Sequence, residues 1–283
     1  ERSSNIYFSL LASDLIENPL DLVQTAKALG FGKKTEIELP GEVKGHLPMD
    51  VKTNKTALYS FAIGQHSLTV TPLQTAVCMS TFANGGKVLM PQIVHTIANL
   101  EPGGEQNLIF EKEEFLYKDY LANVGIYFPL FTEAEKSPNL PFVWRFSPVV
   151  KDEVYLPENM RKFLMEGLYD VVNGARGTAR ASSIKTLREN PLLRKCYEEI
   201  SPYMAGKTST AEILYRPFLN RETDPVICKH IWFGGIAFTE KESLEESDLV
   251  VIVSLHFADH GKEAAPLAAR LIQKWRSLQK KSN

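Results

Sequence analysis

A chain of 283 residues with 44% hydrophobic and 23% charged residues can bury a real core, as one large domain or two small ones. Its formal net charge of −2 gives no basic footprint, which argues against nucleic-acid binding. Three widely spaced cysteines (Cys78, Cys196, Cys228) and six scattered histidines form neither a disulfide framework nor a metal-ligand pattern, so no metal and no cofactor is expected. The longest apolar run, Leu249 to Leu255, is too short to cross a bilayer. The chain opens on Glu1-Arg2-Ser3-Ser4-Asn5 without a methionine or a signal peptide, and it reads as a fragment or a processed chain.

In chain order, Ile6, Leu10, Leu11 and Leu15, then Leu22, Val23, Ala26 and Leu29, keep helical spacing. Pro19 splits the run into two helices, and Gly30 and Gly32 close the second. The stretch from Thr35 to Pro48 alternates briefly and turns on Pro40-Gly41, which predicts a short strand and a loop. Thr71, Pro72 and Gln74 mark the start of the next helix as a Thr-x-x-Gln capping box with proline in the first turn, and Asn84-Gly85-Gly86 marks its end. Residues 87–94 then read as a strand. Residues 101–150 mix paired glycines, acidic runs, aromatics and prolines without a period, and are read as an insertion or a small hairpin-rich module.

A helix is predicted from about Pro157 to Val172, followed by a charged, helix-prone stretch over 181–200. Three runs rich in β-branched and aromatic residues follow: Ala211–Arg216, His230–Phe238 and Leu249–Phe257. Their polar connections suit an antiparallel sheet. From Glu263 to Lys280 the spacing places Leu267, Leu271, Trp275 and Leu278 on one face, which predicts an amphipathic helix packed on that sheet.

Chemistry concentrates around Lys207, which admits two readings. Gly206-Lys207-Thr208 closes a phosphate-binding P-loop, but that motif needs a glycine at Ser201 and free backbone amides at Pro202, Tyr203 and Met204. It also needs a helix after the lysine, where strand-like residues stand instead. The other reading is a strand that presents a lysine and hydroxyls to a substrate carboxylate, the third element of the Ser-x-x-Lys, Ser-x-Asn, Lys-Thr-Gly set. A Lys-Thr pair alone is more often a solvated strand face.

The flanking sequence decides between them. Residues 29–48, 61–88, 171–182, 205–212 and 230–238 resemble, in order, the penicillin-binding protein transpeptidase family. That resemblance implies an α+β fold of the serine β-lactamase/transpeptidase type, an antiparallel sheet packed with helices and incomplete on its N-terminal side. The whole span 1–283 would be the C-terminal portion of one transpeptidase domain. It implies that Ser3 and Asn5 form the Ser-x-Asn element with Ser4 as spacer, and that Lys207, Thr208, Ser209 and Thr210 form the carboxylate-binding strand. Ser3 would relay a proton and Asn5 would hydrogen-bond the substrate's amide carbonyl or the catalytic lysine, although Ser and Asn are also ordinary helix-capping residues. Ser209 stands where the family usually has glycine.

The Ser-x-x-Lys element is expected upstream of this chain. The matches at Ser182–Lys185 and Ser277–Lys280 lie outside the family's position and are read as chance, as is Ser137-Pro138-Asn139. The implied activity is cross-linking of peptidoglycan stem peptides through an acyl-serine, in the elongation-type class, with β-lactam antibiotics as inhibitors and cell-wall elongation proteins as partners. The complete protein would be anchored in the cytoplasmic membrane with this domain outside, and the chain alone would be inactive. The rival is a non-catalytic, penicillin-binding-like scaffold or peptide-recognition module, kept open by Ser209 and by the missing Ser-x-x-Lys.

Overall fold

A computed structural model describes residues 2–94, 96–99, 142–145, 147–215 and 225–282. The chain begins with α1 (Asn5–Leu15), capped by the Ser4 side chain, which accepts a hydrogen bond from the Tyr7 amide. Pro19 ends the run as expected and opens α2 (Leu20–Ala28). With α3 (Lys55–Ala62) these helices enclose a small core of Ala12, Val23, Leu47, Val51, Ala57, Leu58 and Phe61.

The strand expected within residues 35–48 does not form; only an isolated bridge between His46 and Thr69 is present. The cause is local. The Glu42 carboxylate accepts hydrogen bonds from the Thr35 and Glu36 amides, and Glu36 takes a left-handed conformation with φ of 67°. Those amides therefore serve a turn instead of a ladder. Burial pushes the Glu42 pKa up, and the hydrogen bonds from Thr35 and Glu36 outweigh it, so the carboxyl titrates below its ordinary range.

The helix α4 (Pro72–Ala83) starts on the expected capping box, with both reciprocal bonds made. Gln74 does more than cap. Its side chain is fully buried, and its amide nitrogen donates to the Lys33 and Lys44 carbonyls at 2.7 and 2.9 Å. One side chain thus ties the irregular segment 31–54 to α4. Asn84 and the glycine pair then turn the chain into β1 (Lys87–Met90), shorter than the strand predicted over 87–94.

β2 (Thr96–Asn99) pairs antiparallel with β3 (Phe142–Arg145), and β1 pairs antiparallel with β4 (Val149–Glu153). Of the module expected at 101–150, residues 101–141 lie outside the described residues. Val149 and Val150 belong to β4, where they pair with Met90 and Leu89.

α5 (Glu158–Asn173) follows, then the short α6 (Lys185–Glu189) and α7 (Pro191–Ile200). The Arg161 guanidinium on α5 donates to the Ala83 carbonyl at the end of α4 and to the Leu244 and Glu245 carbonyls. It joins two segments that lie far apart in sequence. The main sheet is β5 (Met204–Tyr215), β6 (Val226–Phe238) and β7 (Ser247–His256), antiparallel throughout and in that order. β5 begins seven residues before the predicted run and carries Lys207 in its interior, paired with Gly234. That placement rules out the P-loop reading.

Successive residues serve opposite faces of this sheet. Ile231, Phe233, Val251 and Val253 pack toward α7 and the last helix, α8 (Ala265–Ser282). Ile236, Phe238 and Ala205 pack toward α4 and α5. Fully burying a phenylalanine such as Phe233 or Phe238 contributes about 2–3 kcal/mol.

The α8 expectation needs correcting in its orientation. Leu267, Leu271 and Leu278 are 40, 53 and 49% exposed, and Trp275 is half-buried. The face laid on the sheet is Ala265, Ala268, Ala269 and Ile272, each fully buried. Small side chains let the helix axis approach the sheet closely, and α8 is apolar on two faces, so size alone pointed to the wrong one. Arg276 fixes its far end through an ion pair with Asp248 at 3.1 Å.

Gln74→Ala should lower stability by about 2–4 kcal/mol, because two carbonyls and one amide lose their partner where water is excluded. Thermal denaturation checks this, and a melting temperature unchanged within a degree would contradict it.

Candidate active-site cleft

One cleft of about 440 Å³ opens at the edge of β5. The structure brings Ser3, Asn5, Lys207, Thr208, Ser209 and Thr210 together along its wall. Two stretches of chain supply them: the start of α1 and the middle of β5.

β5 has β6 on one side only among the described residues. The Thr208 carbonyl accepts from the Lys207 ammonium at 2.6 Å, and the Thr210 carbonyl accepts from the Gln65 side-chain amide at 2.9 Å. Both carbonyls therefore face the free edge. A strand residue presents its amide on the same side as its carbonyl, so the Thr210 N–H also faces the cleft. Lys207 and Ser209 project from one face of the strand, and Thr208 and Thr210 from the other. The cleft wraps around this edge.

Gly206 lets the strand sit this deep. A Cβ there would stand 2.4 Å from the Phe233 ring and 2.7 Å from the Gly234 carbonyl oxygen. Any side chain at Gly206 would push β5 off β6.

Lys207 lies under the edge, with its ammonium donating to the Ser3 hydroxyl at 2.8 Å. It makes no ion pair among the described residues. Burial alone holds its pKa below the usual lysine range. Ser3 adopts a left-handed backbone with φ of 50°, a conformation that costs a non-glycine residue about 1–2 kcal/mol. The helix cap falls to Ser4, the spacer. Capping and cleft-lining are thus divided among neighbouring residues.

Several cleft residues were not singled out from sequence. Thr178 follows the close-packed turn at Gly177, and its hydroxyl lies 2.8 Å from that of Thr208. The turn is anchored by the fully buried Tyr197, whose hydroxyl donates to the Ala179 carbonyl at 2.6 Å. Gln65, His260, Gly261 and Lys262 also line the cleft. The Gly261 amide donates to the Thr210 hydroxyl at 3.0 Å, which leaves that hydroxyl's own proton free. Only local signals such as Gly177-Thr178 hinted at any of these; their convergence is tertiary.

The two Ser-x-x-Lys matches do not form a reactive pair. Lys185 is solvent-exposed and pairs with Glu189 at 3.7 Å, and the Ser277 hydroxyl donates to the Lys274 carbonyl. Ser183 does line the cleft, but its hydroxyl donates to the Thr178 and Arg180 carbonyls. Ser137–Asn139 lies outside the described residues. Among the described residues no group of three or more metal-ligating side chains occurs, and no helix is long and apolar enough to cross a membrane.

An antiparallel sheet with helices on both faces, carrying a lysine and threonines on its free edge strand, defines the penicillin-recognising fold. Penicillin binding protein 3 from Mycobacterium tuberculosis, solved with aztreonam bound, superposes with a TM-score of 0.61 at 18% identity, over 98% of this chain and 50% of that one. The family described as the penicillin binding protein transpeptidase domain matches residues 1–273, and the chain belongs to it. Among curated relatives, peptidoglycan D,D-transpeptidase MrdA of Haemophilus influenzae is 26% identical across 95% of this chain and 34% of that protein. MrdA of Acinetobacter baumannii is 31% identical across 35% of this chain and 16% of that protein. The chain therefore spans about a third or less of the length of these relatives.

Thr178→Val should free the Thr208 hydroxyl and weaken binding of a carboxylate-bearing ligand about three- to tenfold, the worth of one hydrogen bond of about 1 kcal/mol. Competition binding with a penicillin checks it. Unchanged affinity would mean that Thr178 does not orient Thr208.

Proposed function

We propose that the complete protein is a peptidoglycan D,D-transpeptidase that cross-links stem peptides through an acyl-serine, with its nucleophile outside this chain. The observation that carries this reading is the contact of the Lys207 ammonium with the Ser3 hydroxyl on the free edge of β5. It supports a site that takes a carboxylate and moves a proton beside it.

The roles follow from the chemistry of each group. The C-terminal carboxylate of a stem peptide enters beside Lys207, whose buried charge finds there the partner that the fold withholds. The Thr210 hydroxyl, whose oxygen already accepts from the Gly261 amide, donates its proton to that carboxylate, and the exposed Ser209 hydroxyl adds a further donor. The Thr208 hydroxyl, held by Thr178, sets the floor.

An incoming serine, activated by the lysine of its own Ser-x-x-Lys element, attacks the carbonyl of the penultimate D-Ala. The serine-carbonyl bond forms, the peptide bond to the terminal D-Ala breaks, and the departing amine takes a proton. Ser3 relays that proton, and Asn5 holds the substrate amide. The Thr210 amide faces the position where negative charge develops on the carbonyl oxygen. The amine of a neighbouring stem peptide then resolves the ester. A β-lactam enters by the same contacts and remains as the adduct.

This reading places the domain outside the cytoplasmic membrane, held by an anchor elsewhere in the protein, in an elongation-type complex. The span 1–283 is then one portion of a single transpeptidase domain, with an insertion or small module at about residues 101–150.

Labelling of the complete protein with a fluorescent penicillin tests the proposal. Lys207→Ala should slow labelling about 100-fold, since removing the charged partner of a desolvated carboxylate costs about 3 kcal/mol. The ammonium must be protonated to hold the carboxylate, and burial lowers its pKa. The rate should therefore fall on the alkaline side at a pH below the ordinary lysine value of about 10.4, and Lys207→Arg should move that limb upward. Absence of label on the wild-type protein, or a rate indifferent to Lys207→Ala, would refute the assignment and favour a non-catalytic module.

Ser209→Gly should change the relative labelling rates of different β-lactams, because the exposed Ser209 side chain stands in the cleft. Identical rate ratios across several β-lactams in the two proteins would contradict a role for this side chain.

A further inference from the structure

Among the described residues the cleft wall contains two lysines, a histidine and six hydroxyl side chains, and no aspartate or glutamate. Lys207 accounts for one anion. Lys262 is the second lysine lining the cleft, half-buried and with no contact ion pair among the described residues. A cation at a cleft wall that makes no contact ion pair favours a ligand that brings a carboxylate to it.

The backbone that carries Lys262 is fixed at several points. The Ala258 amide donates to the Lys229 carbonyl at 3.1 Å. Gly261 lies directly against β5: its amide bonds to Thr210, and a Cβ on it would stand 2.3 Å from the Ser209 carbonyl oxygen. Glu263 accepts from the Lys185 and Thr186 amides and from the Thr186 hydroxyl, at 3.0, 3.2 and 2.8 Å. Burial pushes the Glu263 pKa up, and those three donors together with the positive charge of Lys262 outweigh it, so the carboxyl titrates below its ordinary range. The Glu263 carboxylate lies within electrostatic reach of Lys262, but its hydrogen bonds go to α6 and it makes no contact ion pair with Lys262. Only glycine fits between the loop and the strand, so the register of Lys262 beside Ser209 and Thr210 is set by the fold.

We infer that Lys262 forms a second carboxylate subsite, which selects stem peptides that carry a free carboxylate in addition to their C-terminal one. This rests on the transpeptidase reading above and adds to it a preference within that substrate class. Lys207 takes the terminal carboxylate at the free edge of β5. Lys262, displaced along the strand toward Thr210 and flanked by His260, takes the other. A stem peptide with that carboxylate amidated loses the second contact and keeps the first.

Two penicillins separate the contacts: benzylpenicillin, with one carboxylate, and its α-carboxy derivative, with two. The complete protein and its Lys262→Gln and Lys262→Arg variants are acylated with each, and the ratio of dicarboxylate to monocarboxylate rate constants is measured. Lys262→Gln should lower that ratio about five- to tenfold, and Lys262→Arg should restore most of it. The ratio is indifferent to partial loss of folded protein, which lowers both rates together. A ratio unchanged in Lys262→Gln would overturn the subsite and leave the transpeptidase reading standing. Failure of benzylpenicillin to label the wild-type protein would instead overturn the transpeptidase reading itself.

Discussion

A lysine ammonium held beneath a strand edge, with a hydroxyl and a carbonyl as its partners and no carboxylate among the described residues, is the constraint on which this structure turns. Neutral acceptors compensate only part of the cost of taking a charge out of water. The fold must therefore hold Lys207 in place by other means. Gly206 seats β5 against β6, the pairing of Lys207 with Gly234 fixes its register, and the core residues on both sheet faces make that register rigid. The strained backbone at Ser3 then brings a hydroxyl to the ammonium across 204 positions of sequence.

Much of the scaffold was legible because it is written locally. The capping box at Thr71 and Gln74, the break at Pro19 and the strand runs of β6 and β7 each depend on residues within a turn or a few pairs of neighbours. The errors occurred where a long-range partner decided the outcome. Glu42 captures two amides that a strand would have used. In α8 the alternatives were two apolar faces, and close packing on the sheet favoured alanines over leucines. No periodicity can rank faces by the space available opposite them.

The site divides in the same way. Ser3, Asn5 and the Lys207–Thr210 strand were reached through ordered family motifs, each weak alone. Thr178, Gln65 and the Gly261-Lys262 pair reach the cleft from three separate segments, and their meeting is a property of the fold. Gln74 shows the same economy in the scaffold, where one helix-capping side chain also anchors a loop about 30–40 residues away. The cleft is thus a short strand edge whose neighbours come from the start of α1, the end of α3, the turn before α6 and the turn before α8.

The claim that this chain binds and positions the substrate, while the acylated serine stands outside it, has one direct measurement. The complete protein is treated with benzylpenicillin, digested, and the penicilloyl adduct located by mass spectrometry. The account predicts a single adduct, on a serine that is not among residues 1–283. An adduct on Ser3, Ser182, Ser183 or Ser209 would contradict it, and would make this chain the carrier of the nucleophile.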